Sequence, residues 1–192
     1  MGKIIISENI SLDGVVRDPT GEEGLGNGDW FGEFGGKDLA EWGKVAQDEA
    51  MAAEALLLGR RSDEWFATRW TPRTGEFADR LNTMPKYVVS KTQDRPKWSN
   101  ATVLTGDVVT EVSKLKQQTN GEIVLIGSIQ LAHTLIASNL ADEVRLTVYP
   151  VALGAGERLF TETTEKKPMR LTDTRTLGEG LVHLTYEFIH EA

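Results

Sequence analysis

Five short aliphatic runs, many of them β-branched, limit this chain more than any other feature: KIIIS at 3–7, ALLL at 55–58, KYVVS at 86–90, ATVLT at 101–105 and EIVLI at 122–126. Hydrophobicity that is continuous rather than alternating suits a strand buried on both faces, as in a parallel sheet covered by helices. Between the runs, the spacing predicts helices over 38–53, 62–69, 108–118 and 128–138, with Asp107 and Ser128 placed as N-caps. After Asn139 the pattern changes to alternation, at 143–151, 169–177 and 181–189, and only Gly178, Glu179 and Gly180 separate the last two segments. That is a hairpin signal. The expectation is α/β: one domain over 1–192, with a mixed eight-stranded sheet, helices on both faces and a C-terminal antiparallel hairpin.

A length of 192 residues suits one full-sized domain, and 40% hydrophobic with 26% charged residues describes an ordinary globular chain. Net charge is -8, with no basic run, which argues against a nucleic-acid or membrane surface. The absence of cysteine excludes disulfides and thiolate metal sites. The start, MGKIIISENISLDG, is too short in apolar residues for a signal peptide or a span, so a cytoplasmic protein is expected. His133, His183 and His190 lie far apart, in no metal-ligand spacing, and no metal is expected.

Two long stretches, 11–37 and 71–85, read as irregular. The first is rich in glycine and acidic residues yet contains Trp30, Phe31 and Phe34, which favours a mobile lid over a ligand rather than a solvated excursion. The GLGNG run at 24–28 follows a polar loop, not a strand, and reads as a turn; Gly154-Ala155-Gly156 reads equally as a corner or a ligand contact.

Three strand ends look alike. The run at 55–58 ends in Gly59-Arg60-Arg61-Ser62, that at 86–89 in Ser90-Lys91-Thr92, and that at 122–126 in Gly127-Ser128. Ligands of open α/β sheets sit outside the carboxyl ends of the strands, where glycine admits a close backbone and helix N-termini offer free N–H groups to phosphate. Arginine adds a planar fork matched to phosphate oxygens. Paired arginines in an acidic chain therefore point to a local anionic guest, a dinucleotide with several phosphates. No G-x-G-x-x-G follows the first strand, so the Rossmann fingerprint is absent.

The succession SLDGVV, LLLGRR, KYVVSKT, EIVLIGS and DEVRLTVYPVALGAGERLF resembles the dihydrofolate reductase superfamily over essentially the whole chain, within it the branch of the riboflavin-biosynthesis reductase, the RibD C-terminal domain. The resemblance implies an oxidoreductase with NADPH lying across the carboxyl ends of the central strands. It places the backbone of Asn9 and Ile10 at the nicotinamide amide, and Gly59, Arg60, Arg61 and Ser62 at phosphate. It places Ser90, Lys91 and Thr92 around the adenosine 2′-phosphate, and Ile126, Gly127, Ser128, Ile129, Gln130 and Leu131 at the pyrophosphate.

It also implies a homodimer, with Leu146, Val148 and Val151 on a strand open to core or partner. Two positions depart from the riboflavin-pathway pattern: Ile126 stands where an acidic residue is usual, and Ser128 where a second glycine is usual. Substrate contacts are expected from Trp30, Phe31 and Asp13, the last of which could instead brace its own turn. The family's first-helix carboxylate has three candidates here, Asp38, Glu41 and Asp48, and position singles out none, so the catalytic residue is left open. The expected activity is hydride delivery to a C=N or C=O carbon of a small pterin, pyrimidine or sugar-derived substrate. The alternative is a nucleotide-binding module without turnover.

Overall fold

The computed structural model describes residues 1–161 and 165–190. Its strands are β1 (Lys3–Ser11), β2 (Ala53–Gly59), β3 (Lys86–Val89), β4 (Ala101–Leu104), β5 (Glu122–Ile126), β6 (Glu143–Tyr149), β7 (Met169–Leu177) and β8 (Leu181–Phe188). They form one mixed eight-stranded sheet in the order β4-β3-β2-β5-β1-β6-β8-β7. The helices are α1 (Trp30–Gly35), α2 (Leu39–Ala52), α3 (Arg60–Trp70), α4 (Glu76–Thr83), α5 (Val108–Gln118) and α6 (Ile129–Ala137), with a 3-10 turn at Gly36–Asp38. Among the described residues no helix is long and apolar enough to cross a membrane. Two compact units divide the chain: Met1–Ile6 with Ala46–Asp142, and Ser7–Val45 with the chain from Glu143 onward.

In the first unit, β2 pairs in parallel with β3 and β5, and β3 with β4. Gly59 lies opposite Val89, Val89 opposite Leu104, and Leu57 opposite Leu125, so the four carboxyl ends share one edge. Leu56, Leu57 and Leu58 are at most 2% exposed, as a continuous apolar strand covered on both faces requires. Leu56 and Leu58 share a core with Ala50, Ala67, Leu81, Met84, Val88, Trp98 and Val124. Each fully buried large side chain in it stabilises by about 1.5 to 3 kcal/mol.

Two helices escape the sequence pattern. Within 71–85, α4 starts after Gly75, whose φ of 108° a side chain would resist, and buries Ala78 and Leu81. Within 11–37, α1 follows Asp29, itself left-handed at φ 65°. The helix expected from Ser62 begins at Arg60 instead, which puts both arginines in its first turn. Asp107 caps α5 as expected, accepting the Thr110 N–H at 3.0 Å.

In the second unit, β8 pairs antiparallel with β6 and β7, and Leu177 faces Leu181 across the Gly178-Glu179-Gly180 turn. Asp38 braces that turn: its carboxylate accepts the N–H groups of Glu179 at 3.1 Å and Gly180 at 2.8 Å. Gly178 is needed here, because a Cβ would fall 2.0 Å from Asp38 Oδ1 and φ is 66°.

The stretch 11–37 is fastened from within. Asp18, 2% exposed, accepts the N–H groups of Glu23 and Leu25 at 2.9 and 3.0 Å, and Arg17 pairs with Glu23 and Glu157. Trp30 is 1% exposed, donates its indole N–H to the Arg17 carbonyl and meets Tyr149 edge-on at 5.2 Å. The expectation that Trp30 contacts substrate is therefore corrected. Its ring is used up in a core with Tyr149, Leu177 and Leu181, against which Phe31, Leu39, Trp42, Val45, Val151 and Leu153 pack.

Candidate functional site

A relay of hydrogen bonds ties the ends of β2 and β5 in the first unit. The Gly59 N–H donates to Ser128 Oγ at 2.9 Å, Ser128 Oγ to Ser62 Oγ at 2.8 Å, and Ser62 Oγ to the Gly127 carbonyl at 2.8 Å. Ser62 and Ser128 are 7% exposed, so their hydroxyls serve this cross-tie. That corrects two expectations: Ser128 does not cap α6, and the Ser62 hydroxyl is not aimed at phosphate. No Ser128 side-chain bond caps α6, so the N–H groups of Ile129 and Leu131 in its first turn are not filled by Ser128. Gly127 turns the chain at φ 60°, where a Cβ would press to 3.4 Å from the Phe66 ring.

Arg60 and Arg61 are exposed in the first turn of α3, the positive end of the helix dipole. Cations are unfavourable there, so helix stability does not explain them. Arg60 meets Glu64 at 3.3 Å across an exposed pair worth little, and Arg61 makes no ion pair among the described residues.

At the end of β3, Ser90 Oγ accepts the N–H groups of Thr92 and Gln93, turning the backbone so that Lys91 and Thr92 face solvent. The loop beyond is clasped to α3 by Asp63, 0% exposed, which accepts Gln93 Nε2 at 2.8 Å, Lys97 N at 2.6 Å and Trp98 N at 3.0 Å. Asp63 and Gln93 escaped the sequence reading, since an acid in a first helical turn has an ordinary explanation there. Asp107 is held below the usual carboxylate range, chiefly by the Thr110 hydrogen bonds and slightly by nearby Lys91. Two surface hollows of about 520 and 410 Å³ in this unit, one lined by Trp70, Arg73 and Phe77 and the other by Thr68, Thr71 and Lys97, include none of the strand-end residues assigned to the cofactor.

In the second unit, Asn9 lies within β1 and accepts the Trp42 indole N–H on Oδ1 at 2.8 Å, while Ile10 beside it is 5% exposed and packs inward, leaving its backbone as the only usable part. Asp13 is a brace. Its carboxylate accepts Ser11 Oγ at 2.7 Å, Leu153 N at 3.0 Å and Gly154 N at 2.8 Å, and its carbonyl accepts Arg158 Nε at 2.9 Å. These bonds, that from Ser11 first, hold its pKa at about 2. They correct the substrate-binding assignment: the oxygens are occupied by the 11–14 and 153–158 corners, which also explains Gly154-Ala155-Gly156. Phe31 is half-buried between Trp42 and Tyr149, with centroids 4.9 and 5.6 Å away. The Tyr149 hydroxyl in that cluster is buried with no hydrogen-bond partner among the described residues, and burial raises its pKa.

Four parallel strands with helices, joined to an antiparallel β6-β8-β7 group, define a dihydrofolate reductase-like fold. Dihydrofolate reductase from Enterococcus faecalis, complexed with NADP(H) and RAB-propyl, superposes with a TM-score of 0.60 at 15% identity, over 97% of this chain and 96% of its own. Within that class, the chain belongs to the RibD C-terminal domain family, whose model matches residues 2–183. A putative riboflavin biosynthesis protein from Shewanella sp. PV-4 superposes with a TM-score of 0.75 at 20% identity, over 98% and 99% of the two chains. The uncharacterized protein YyaP of Bacillus subtilis (strain 168) is 28% identical over 193 residues, 97% of this chain and 95% of its own.

Proposed function

We propose that this protein is an NADPH-dependent reductase acting on a C=N or C=O carbon of a small heterocyclic substrate. The observation that carries the reading is the shared carboxyl edge of β2, β3 and β5. It offers Arg60, Arg61 and Lys91 as exposed cations, Arg61 with no carboxylate partner among the described residues, beside an α6 first turn that Ser128 does not cap with its side chain. That donor set fits a phosphate-rich dinucleotide: guanidinium and ammonium groups for a monoester phosphate, backbone N–H groups for a pyrophosphate. The chemistry such a cofactor supplies is hydride donation. The protein's share is to hold the phosphates and to keep the β2 and β5 ends in register through the Ser62–Ser128 tie.

Calorimetry with NADPH and NADH tests the cofactor. NADPH is expected to bind on the order of tenfold to a hundredfold more tightly, the worth of one charge-assisted contact. Equal affinities overturn the assignment. A second reading, a nucleotide-binding module without turnover, draws support from two of the three candidate carboxylates: Asp38 is bonded to the hairpin turn and Glu41 to Lys44 at 2.6 Å, while Asp48 is exposed. NADPH oxidation measured against a panel of pterins and pyrimidines separates the two, since the module binds NADPH and oxidises none.

A further inference from the structure

Asn9 and Trp42 form a pair in the second unit that cofactor binding through the backbone of Asn9 does not use. An indole nitrogen only donates, so the 2.8 Å contact from Trp42 Nε1 assigns the Asn9 amide: the oxygen faces Trp42 and the amino group faces away. That amino group carries two N–H donors and makes no hydrogen bond among the described residues, although Asn9 is half-buried. The amino group is not among the buried atoms that lack a partner, so it reaches solvent and can be offered to a ligand. Beside the pair, the Phe31 ring stands edge-on to Trp42 at 84° and is half-buried, and it also touches Tyr149, whose buried hydroxyl has no partner among the described residues. The cluster thus joins apolar ring surface to donors whose direction Trp42 sets.

We propose that the Asn9 amino group recognises the acceptor edge of a flat heterocycle, a carbonyl oxygen or an unprotonated ring nitrogen, with Phe31 as the apolar contact and Trp42 as a positioning residue. This rests on the reductase reading and narrows its substrate to rings that present acceptors. Selectivity comes from Trp42: with the amide oxygen engaged, Asn9 offers only donors, whereas a released amide could turn either end to the ligand.

The test compares quinazolin-4-one, which has a carbonyl oxygen and ring nitrogens, with naphthalene, which has the same outline and no acceptor. Both are titrated calorimetrically into the full chain, with and without saturating NADPH. Wild type is expected to prefer quinazolin-4-one by about tenfold, the worth of one net hydrogen bond. Asn9→Leu is expected to abolish the preference while naphthalene binding stays. Asn9→Asp, which keeps size and the Trp42 contact but replaces donors by acceptors, is expected to abolish or invert it. Trp42→Phe is expected to reduce the preference several-fold, which a purely structural role for the indole N–H would not do. An unchanged preference in Asn9→Leu, or no quinazolin-4-one binding by wild type, overturns the proposal. If NADPH fails to bind yet the preference follows Asn9, the reductase reading fails and this site stands; if NADPH is oxidised and the preference ignores Asn9, the reverse holds.

Discussion

The strand ends of the first unit and the 11–37 stretch of the second both carry residue types suited to ligand contact, and they differ in how their polar groups are spent. In the second unit, Asp13 is filled by Ser11 Oγ and the Leu153 and Gly154 N–H groups, Asp18 by the Glu23 and Leu25 N–H groups, and the Trp30 indole by the Arg17 carbonyl. In the first, Ser62, Ser128 and Asp63 are spent on bracing, and Arg61 and Lys91 stand exposed. A short polar side chain in a turn is thus claimed by the N–H groups packed against it, near in sequence for Asp18 and 140 residues away for Asp13. A long cation with no carboxylate in reach stays available.

The sharpest way to break this comparison is Trp30→Ala. If Trp30 is core, the variant loses about 3 to 5 kcal/mol of stability in urea denaturation. A variant of nearly wild-type stability with weak substrate turnover would restore the lid as the better account. Next in size is Arg61→Ala, which should weaken NADPH by roughly tenfold to a hundredfold. Its unfolding free energy should move by no more than about 0.5 kcal/mol, as for surface positions generally. A large loss of stability with unchanged NADPH affinity would make Arg61 a structural residue like Asp13.

The smallest effects are at the two ends of the pH scale, one for each unit. Asp13 has its pKa lowered to about 2, so the unfolded chain holds the extra proton between its ordinary value and that one. Stability from Asp13 is present above the ordinary carboxylate range and is lost as pH falls through about 2; Asp13→Asn should flatten this acid limb in a denaturation series.

Lys86 is 1% exposed, with Nζ donating to the carbonyls of Met84, Ser99 and Asn82 and lying 4.6 Å from the Trp98 ring centroid. Burial lowers its pKa to about 8, so the unfolded chain binds more protons from there up to 10.5, and stability should rise with pH across that window. Lys86→Met should lack the rise. A wild-type curve that is flat there would mean the carbonyl cage offsets the burial.

Most of the architecture was legible because it rests on local patterns. Continuous aliphatic runs mark strands such as β2 and β5, and alternation around Gly178-Glu179-Gly180 marks the β7-β8 hairpin. Asp107 shows as a cap because its partner, Thr110, is three residues away. Helices α1 and α4 were not legible: each is short, and each starts from a residue at positive φ that reads as a loop signal.

By itself the sequence determined the α/β class, the strand-end placement of Arg60, Arg61 and Lys91, and the acidic balance that makes those cations conspicuous. Each depends on residue type and on spacing within a few positions. Only the tertiary structure decided which polar groups were free. The backbone partners of the Asp13 carboxylate are 140 and 141 residues away, those of Asp38 141 and 142, and the indole that orients Asn9 is 33 away. A hydrogen bond needs its atoms within about 3 Å, and no local pattern says which distant N–H will arrive there.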